Sequence, residues 1–405
     1  MREFFAVIVS FLIIPVLSRK KIPIGIAICI CAVLMAFLGG VGLADFGNVI
    51  LGTFTNLDKV QQLVIVAEVS IIGVLLKKYK IIDEVLDNIS KVVKSNRLIL
   101  MFIPALTGML NVPGGAIMSA PLIDQLGERS NLSKPHRAII NLVYRHVPMN
   151  ILPYATGFLL VLSLTPQISI YKLMGLNAIF VVMYCIIGYY LYIRKIQNDS
   201  TTPYSFTWTS LFNLLKFTAP IYVAVMLNLI FGVPFYFGML ANLLIIYLLH
   251  PTRMFLFDTA RAFSFNVLYA LVGVYLIQGI IERMESLTSF LTLVFMNPDT
   301  VMLGIIVTAV FFGTTTGFPP TALGVILPIL GTLPLSGNML LLYCHFAFTW
   351  SFVGYFFSPL HLCQIFTCEY LKVRILDLYK EYWKFFVSLV AVLVVNYFVM
   401  GLLVR

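Results

Sequence analysis

A chain of 405 residues with 60% hydrophobic and 11% charged side chains, and a mean hydropathy of +0.98, departs far from the roughly 45–50% apolar and about 25% charged make-up of soluble domains. That composition excludes an ordinary soluble enzyme or binding domain and indicates an all-α polytopic membrane protein. The net charge of +10 falls in short clusters between apolar stretches, the topogenic pattern rather than a nucleic-acid-binding face, so the lipid bilayer is the expected partner and nucleic acid is not.

In chain order, an apolar stretch at 4–17 is followed by Arg19, Lys20 and Lys21. Charge after the stretch predicts a first helix running inward, and argues against a cleaved signal peptide, whose charge precedes its apolar region. A second helix at 22–38 returns to a loop with Asp45 and Asp58, and a third at 60–76 ends inside at Lys77, Lys78 and Lys80. Charges at Asp83, Glu84, Asp87, Lys91 and Lys94 alternate with apolar positions at helical spacing, predicting an amphipathic helix on the cytoplasmic surface. The stretch 97–127 is broken at Asn111-Val112-Pro113-Gly114-Gly115 and flanked by charge at both ends, which fits a re-entrant hairpin. A helix at 137–164, interrupted at 145–153, and another at 171–192 complete the first half.

A polar linker at 196–210 leads to the second half, with helices at 211–230, 235–249 and 263–281, then outside charges Glu282, Arg283 and Glu285. A second hairpin at 289–335 breaks at 313–320, an interrupted helix spans 339–359, and a cytoplasmic segment with Lys372, Arg374, Lys380 and Lys384 precedes a final helix at 385–404. Most of the 27 Lys and Arg residues then fall inside. The plan is two inverted-topology repeats, 1–195 and 211–405, each of five transmembrane helices plus one hairpin.

The chain thus reads twice. Each half carries a Gly/Pro-rich broken segment, 104–121 and 311–328, followed by an element, 144–153 and 343–359, that opens with Tyr-x-His, Tyr144/His146 and Tyr343/His345. Irregular backbone at membrane depth is tolerated only where protein or a water-filled cavity satisfies it, so matched interruptions in two halves point to a transporter's binding site.

Three stretches carry a resemblance: Asn111-Val-Pro-Gly-Gly-Ala-Ile-Met-Ser-Ala-Pro121, Asn141-Leu-Val-Tyr-Arg-His-Val147, and Ser358-Pro-Leu-His-Leu-Cys363 followed by Thr367-Cys-Glu-Tyr370. They resemble the signatures of the integral membrane family called domain of unknown function 401, in order along nearly the whole chain. That family is grouped with the ion transporter superfamily of secondary carriers for gluconate, citrate, dicarboxylates and similar anions. The resemblance implies a hairpin-containing transport domain, built from both repeats, that moves against a scaffold, usually in a homodimer. In the family a Trp and a Glu tend to follow the Arg-His-Val; this chain has Pro148 and Met149, so any coupling role of that Glu is absent or carried elsewhere.

Arg145 sits mid-span, where an arginine costs roughly 2.5–3.5 kcal/mol on insertion scales and needs a partner. The functional partner is an anionic substrate; the structural one is Glu68, a carboxylate deep in a helix and a possible coupling group. His146 and His345 either relay protons or bond freed carbonyls beside an interruption. Asn111, Gly114, Gly115 and Ser119 at the first tip, and Thr314, Thr315, Thr316, Gly317 and Thr321 at the second, supply N–H groups, carbonyls and hydroxyls suited to a carboxylate or a hard monovalent cation, or else simply pack closely. Asn150, Thr349, Trp350 and Ser351 fall at the expected helix breaks, where they bind ligand or re-satisfy backbone.

Cysteines 29, 31, 185 and 344 read as small hydrophobes, and His361, Cys363 and Cys368 lack a fourth ligand at compact spacing, so no metal or other cofactor is expected. No Walker A loop, HExxH pair or GxSxG elbow occurs in the sequence, and no enzyme is expected. The best reading is a secondary active transporter of the prokaryotic inner (plasma) membrane that moves a small organic anion with Na⁺ or H⁺ by alternating access. The alternatives are a membrane-embedded enzyme or receptor for a lipid-like ligand, and a channel.

Overall fold

The computed structural model describes residues 2–109, 116–197, 205–297 and 299–404, and among them the chain is all-α. The first half contains α1 (Arg2–Arg19), α2 (Ile24–Gly39), α3 (Leu43–Thr55), α4 (Leu57–Lys78), α5 (Ile81–Val92), α6 (Asn96–Gly108), α7 (Ala116–Arg129), α8 (Lys134–Arg145), α9 (Thr156–Leu164) and α10 (Ile170–Gly188). The second half contains α11 (Trp208–Phe231), α12 (Phe235–Leu249), α13 (Phe255–Arg261), α14 (Phe265–Ile281) and α15 (Glu285–Met296). It continues with α16 (Val301–Thr316), α17 (Pro319–Thr332), α18 (Gly337–Phe356), α19 (Leu362–Leu371) and α20 (Ile375–Val404).

Among the described residues five helices are long and apolar enough to cross a membrane: α4, α10 with its π-helical continuation to Ile193, α11, α18 and α20 up to Met400. The pair α13 and α14, bent by 47°, is a sixth if counted as one span. Large apolar side chains such as Phe37, Phe231 and Leu256 stand more than two-thirds exposed, a surface that suits hydrocarbon better than water. An all-α chain with several such helices is consistent with a polytopic membrane protein.

Contacts run between helices of the two halves in a crossed order. Helix α2 packs on α14 while α4 packs on α12; α9 meets α17 while α7 meets α19; α10 lies on α18 while α8 lies on α20. The result is two bundles, each drawing on both halves. The first is built from α1–α5 with α11–α14, the second from α6–α10 with α16–α20; α15 packs on α16, α17 and α1, and the bundles meet chiefly through α14 against α17, α1 against α16, and α4 against α9.

Several expected elements have different bounds. The loop around Asp45 is helical over Leu43–Thr55, and Asn56 caps the next helix by accepting from the Lys59 N–H (3.1 Å). Where the second hairpin was expected from 289, α15 ends at Met296 and α16 starts at Val301, with Thr300 Oγ1 donating to Val294 O (2.7 Å) ahead of it. The segment expected to be cytoplasmic between 372 and 384 belongs mostly to α20: good helix formers, with the Arg374–Asp377 pair at its start, carry the helix outward from Ile375. The amphipathic helix is present as α5, and its buried Ile81, Val85 and Ile89 face protein, with α11 as its main neighbour.

The two interrupted helices differ. In the first half α8 ends at Arg145, a 3₁₀ turn covers Pro148–Asn150, and helix resumes at Thr156. In the second half a break was expected inside 339–359, yet α18 is continuous from Gly337 to Phe356. Pro148 falls within its span, lacks an N–H and clashes one turn back. Pro359 lies beyond the end of α18 and interrupts nothing.

Candidate functional site

The freed carbonyls at the break in the first half are taken up by side chains. His146 Nδ1 meets Leu142 O at 2.6 Å, Tyr184 OH donates to Val143 O (2.9 Å), Asn150 Nδ2 to His146 O (2.9 Å), and Asn177 Nδ2 to Asn150 O (3.2 Å). This is how non-helical backbone persists within a buried bundle. Helix α6 crosses here so closely that a Cβ on Gly108 would sit 2.0 Å from Arg145 O, so only glycine fits.

Past the break the chain opens into a cavity of about 140 Å³ between the two bundles. One wall is Ile24 of α2 with Asn266 and Ala270 of α14; the other comes from the second bundle, including Gly108, Arg145, His146, Gly317 and Cys363. Most of the lining is apolar, with a few polar groups converging, the usual make-up of a small-molecule site. The Arg145 side chain is buried, 4% exposed, and its Nη1 donates to Thr107 Oγ1 (3.1 Å). Among the described residues no carboxylate lies within ion-pair distance of it. Glu68 is buried on α4 and its Oε2 has no partner there either, so the two are not an ion pair in this structure.

The histidines meet different neighbours. His146 Nε2 lies 3.0 Å from His361 Nε2 and 3.1 Å from the Tyr355 hydroxyl, and His361 Nδ1 lies 3.1 Å from Phe356 O. Among the described residues His146, His361 and Cys363 form a group able to share a metal ion, with one ligand atom from each within 4.8 Å of the others. His345 is held elsewhere: Nδ1 meets Asn177 Oδ1 (2.6 Å) and Asn396 Nδ2 meets its Nε2 (3.1 Å).

The first tip, with Asn111, Gly114 and Gly115, lies outside the described residues. Ser119 beyond it bonds Asn141 Oδ1 (2.6 Å), and Asn141 Nδ2 reaches Thr367 Oγ1 (3.1 Å), which ties α7, α8 and α19 together. At the second tip Gly317 lines the cavity with φ +60 and a Cβ there would meet Leu360 O at 2.8 Å, a double requirement for glycine. The tip threonines bond backbone: Thr314 to Gly354 O, Thr315 to Phe311 O, and Thr316 to Phe312 O while accepting from Phe318 N–H. Pro319 and Pro320 open α17, so two of the four free N–H groups of an ordinary helix start are missing there. Thr321 is fully buried and its hydroxyl has no partner among the described residues.

Thr349 and Ser351 lie within continuous α18, not at a break, and bond the carbonyls four residues back, at His345 and Ala347; Trp350 is buried beside them. Of the residues singled out from sequence, the cavity therefore gathers Arg145, His146 and Gly317, while Asn150, Ser119, the threonines, Ser351 and His345 stand behind it. Tyr355 and Cys363 also line it, and His361 lies behind them against His146, more than two hundred residues away along the chain.

Residues 2–403 match the family described as Protein of unknown function (DUF401). The chain belongs to that family. No curated protein shows significant sequence similarity to this DUF401 chain. The match covers both bundles and the break.

Proposed function

We propose that this DUF401 chain is a secondary active transporter that binds a small organic anion in the cavity between its bundles. Coupled to Na⁺ or H⁺, it moves the anion across a prokaryotic inner membrane by alternating access. Arg145 carries the reading. A guanidinium held in a mostly apolar cavity, with one hydroxyl as its described partner, is costly unless an anion completes it, and its planar fork suits a carboxylate.

The crossed contacts between helices of the two halves support two inverted repeats about an in-plane pseudo-two-fold axis, the arrangement that lets two similar bundles trade an inward for an outward opening. The bundle with both hairpins, α6–α10 with α16–α20, is the moving part; α1–α5 with α11–α14 is the scaffold and, in this reading, the surface of a homodimer. Closure of the Arg145 wall onto Asn266 and Ala270 occludes the anion.

A thermal-shift screen of short mono-, di- and tricarboxylates, with and without Na⁺ and at two pH values, tests the reading. At least one carboxylate should raise the melting temperature of the detergent-purified protein, since a ligand of the native state stabilises it by mass action. The same compound should then accumulate in proteoliposomes under the matching ion gradient. Stabilisation by long-chain lipids alone, with no carboxylate effect, would refute the proposal.

A further inference from the structure

The pair His146 and His361 has one proton too few for its contacts. A backbone carbonyl only accepts, so the 2.6 Å contact to Leu142 O fixes the proton of His146 on Nδ1 and leaves Nε2 with a lone pair. The same logic at Phe356 O places the proton of His361 on Nδ1 and a second lone pair on its Nε2. These two lone pairs then face each other at 3.0 Å, both rings buried. Three contacts (two carbonyls and one ring-to-ring) ask for three N–H groups, and two neutral imidazoles supply two. The Tyr355 hydroxyl can donate to His146 Nε2 at 3.1 Å but leaves the Nε2 of His361 facing an acceptor. An unfilled lone pair in a buried site is costly.

We propose that His146 Nε2, His361 Nε2 and Cys363 Sγ form a binding site for a borderline-to-soft transition-metal ion of the zinc type. Among the described residues this is the place where three such ligand atoms converge, all within 4.8 Å of one another. Both rings already have the outer hydrogen bond that metal-bound histidines need, Nδ1–H to a backbone carbonyl, which sets the tautomer and aims Nε2. Bond lengths of about 2.0–2.1 Å to nitrogen and 2.3 Å to sulfur imply ligand separations of about 3.3–3.6 Å in a tetrahedron. The nitrogens need to part by a few tenths of an ångström, and the sulfur to close by about 1 Å, within reach of a cysteine side-chain rotation. Cys363 is only half-buried and lines the cavity, as does His146, so the ion has an entry path and its fourth position faces the cavity, for water or an anion. The thiolate offsets part of the positive charge that the ion adds beside Arg145. This proposal uses atoms other than the guanidinium on which the transport reading rests, and its test reads metal rather than transport.

The test is titration of tag-free, detergent-purified full-length protein with Co²⁺, followed by displacement with Zn²⁺. One equivalent per chain should bind and survive gel filtration, with thiolate-to-cobalt charge-transfer absorption and the intense visible bands of a four-coordinate ion, both abolished by Zn²⁺. Cys363→Ser, which preserves shape, should remove the charge-transfer band and weaken binding at least tenfold, and His361→Ala should remove binding. Cys368→Ser and His345→Asn should change neither. Binding of less than a tenth of an equivalent by the wild type would overturn the proposal and leave a shared proton between the rings. A charge-transfer band that persists in Cys363→Ser would overturn it too, by placing the metal at another thiol.

Discussion

The two Tyr-x-His triplets begin alike and end differently. Tyr144-Arg145-His146 closes a helix, and its arginine and histidine face a cavity between the bundles. Tyr343-Cys344-His345 lies inside an unbroken helix, where His345 is satisfied on both nitrogens by Asn177 and Asn396 and Cys344 packs fully buried against Thr165. Pro148, three residues after one triplet member and without a counterpart after the other, decides the backbone; the middle residue, arginine or cysteine, decides the chemistry. The two triplets divide the work between the halves. The first presents the charge, and the second braces it, since Asn177 links His345 to the Asn150 carbonyl at the break.

That division can be broken at its joints. The largest effect is expected where α6 crosses the end of α8. Gly108→Val would push a side chain into Arg145 O, backbone against backbone, and should cost about 3 kcal/mol or more, the upper end of overpacking. Loss of the monodisperse peak in size-exclusion chromatography would report it. If His345 is a brace rather than a ligand, His345→Leu should lower stability by about 1–3 kcal/mol through the unpaired Asn177 and Asn396. The shift should be the same with and without carboxylate in a melting assay; a change in ligand response alone would give His345 a part in binding. The smallest effect belongs to Glu68→Gln. With no ion pair to break, it should leave stability within about 0.5 kcal/mol or raise it, whereas rupture of a buried pair with Arg145 would cost about 3–5 kcal/mol.

The sequence made some of this legible and hid the rest for physical reasons. Proline announces itself, so the break at Pro148 was readable, and so was the Gly317 tip, where positive φ and a close approach coincide. The continuity of α18 was not. Gly354 sits where α18 meets α16 and a Cβ would lie 2.8 Å from Val310 O, so it serves packing within an unbroken helix. The tip threonines looked like ligands, yet a hydroxyl can reach the carbonyl four residues back in the same helix, and Thr315 and Thr316 do so. The partnership of His146 with His361 and Cys363 depends on how α19 returns over α8, and no local pattern encodes that. The all-α class and the membrane character were therefore written in composition, whereas the contents of the cavity were set by tertiary packing.

The account stands or falls on the Arg145 side chain as the anion's partner. Once the thermal-shift screen has supplied a carboxylate, its affinity for wild-type protein and for Arg145→Gln should be measured by calorimetry in the same detergent. A charge-assisted hydrogen bond is worth about 1.5–3 kcal/mol, so the variant should remain folded and bind roughly 10- to 100-fold more weakly, with no ligand-induced rise in melting temperature at concentrations that saturate the wild type. A folded Arg145→Gln protein that binds the same carboxylate within twofold of the wild-type affinity would contradict the account.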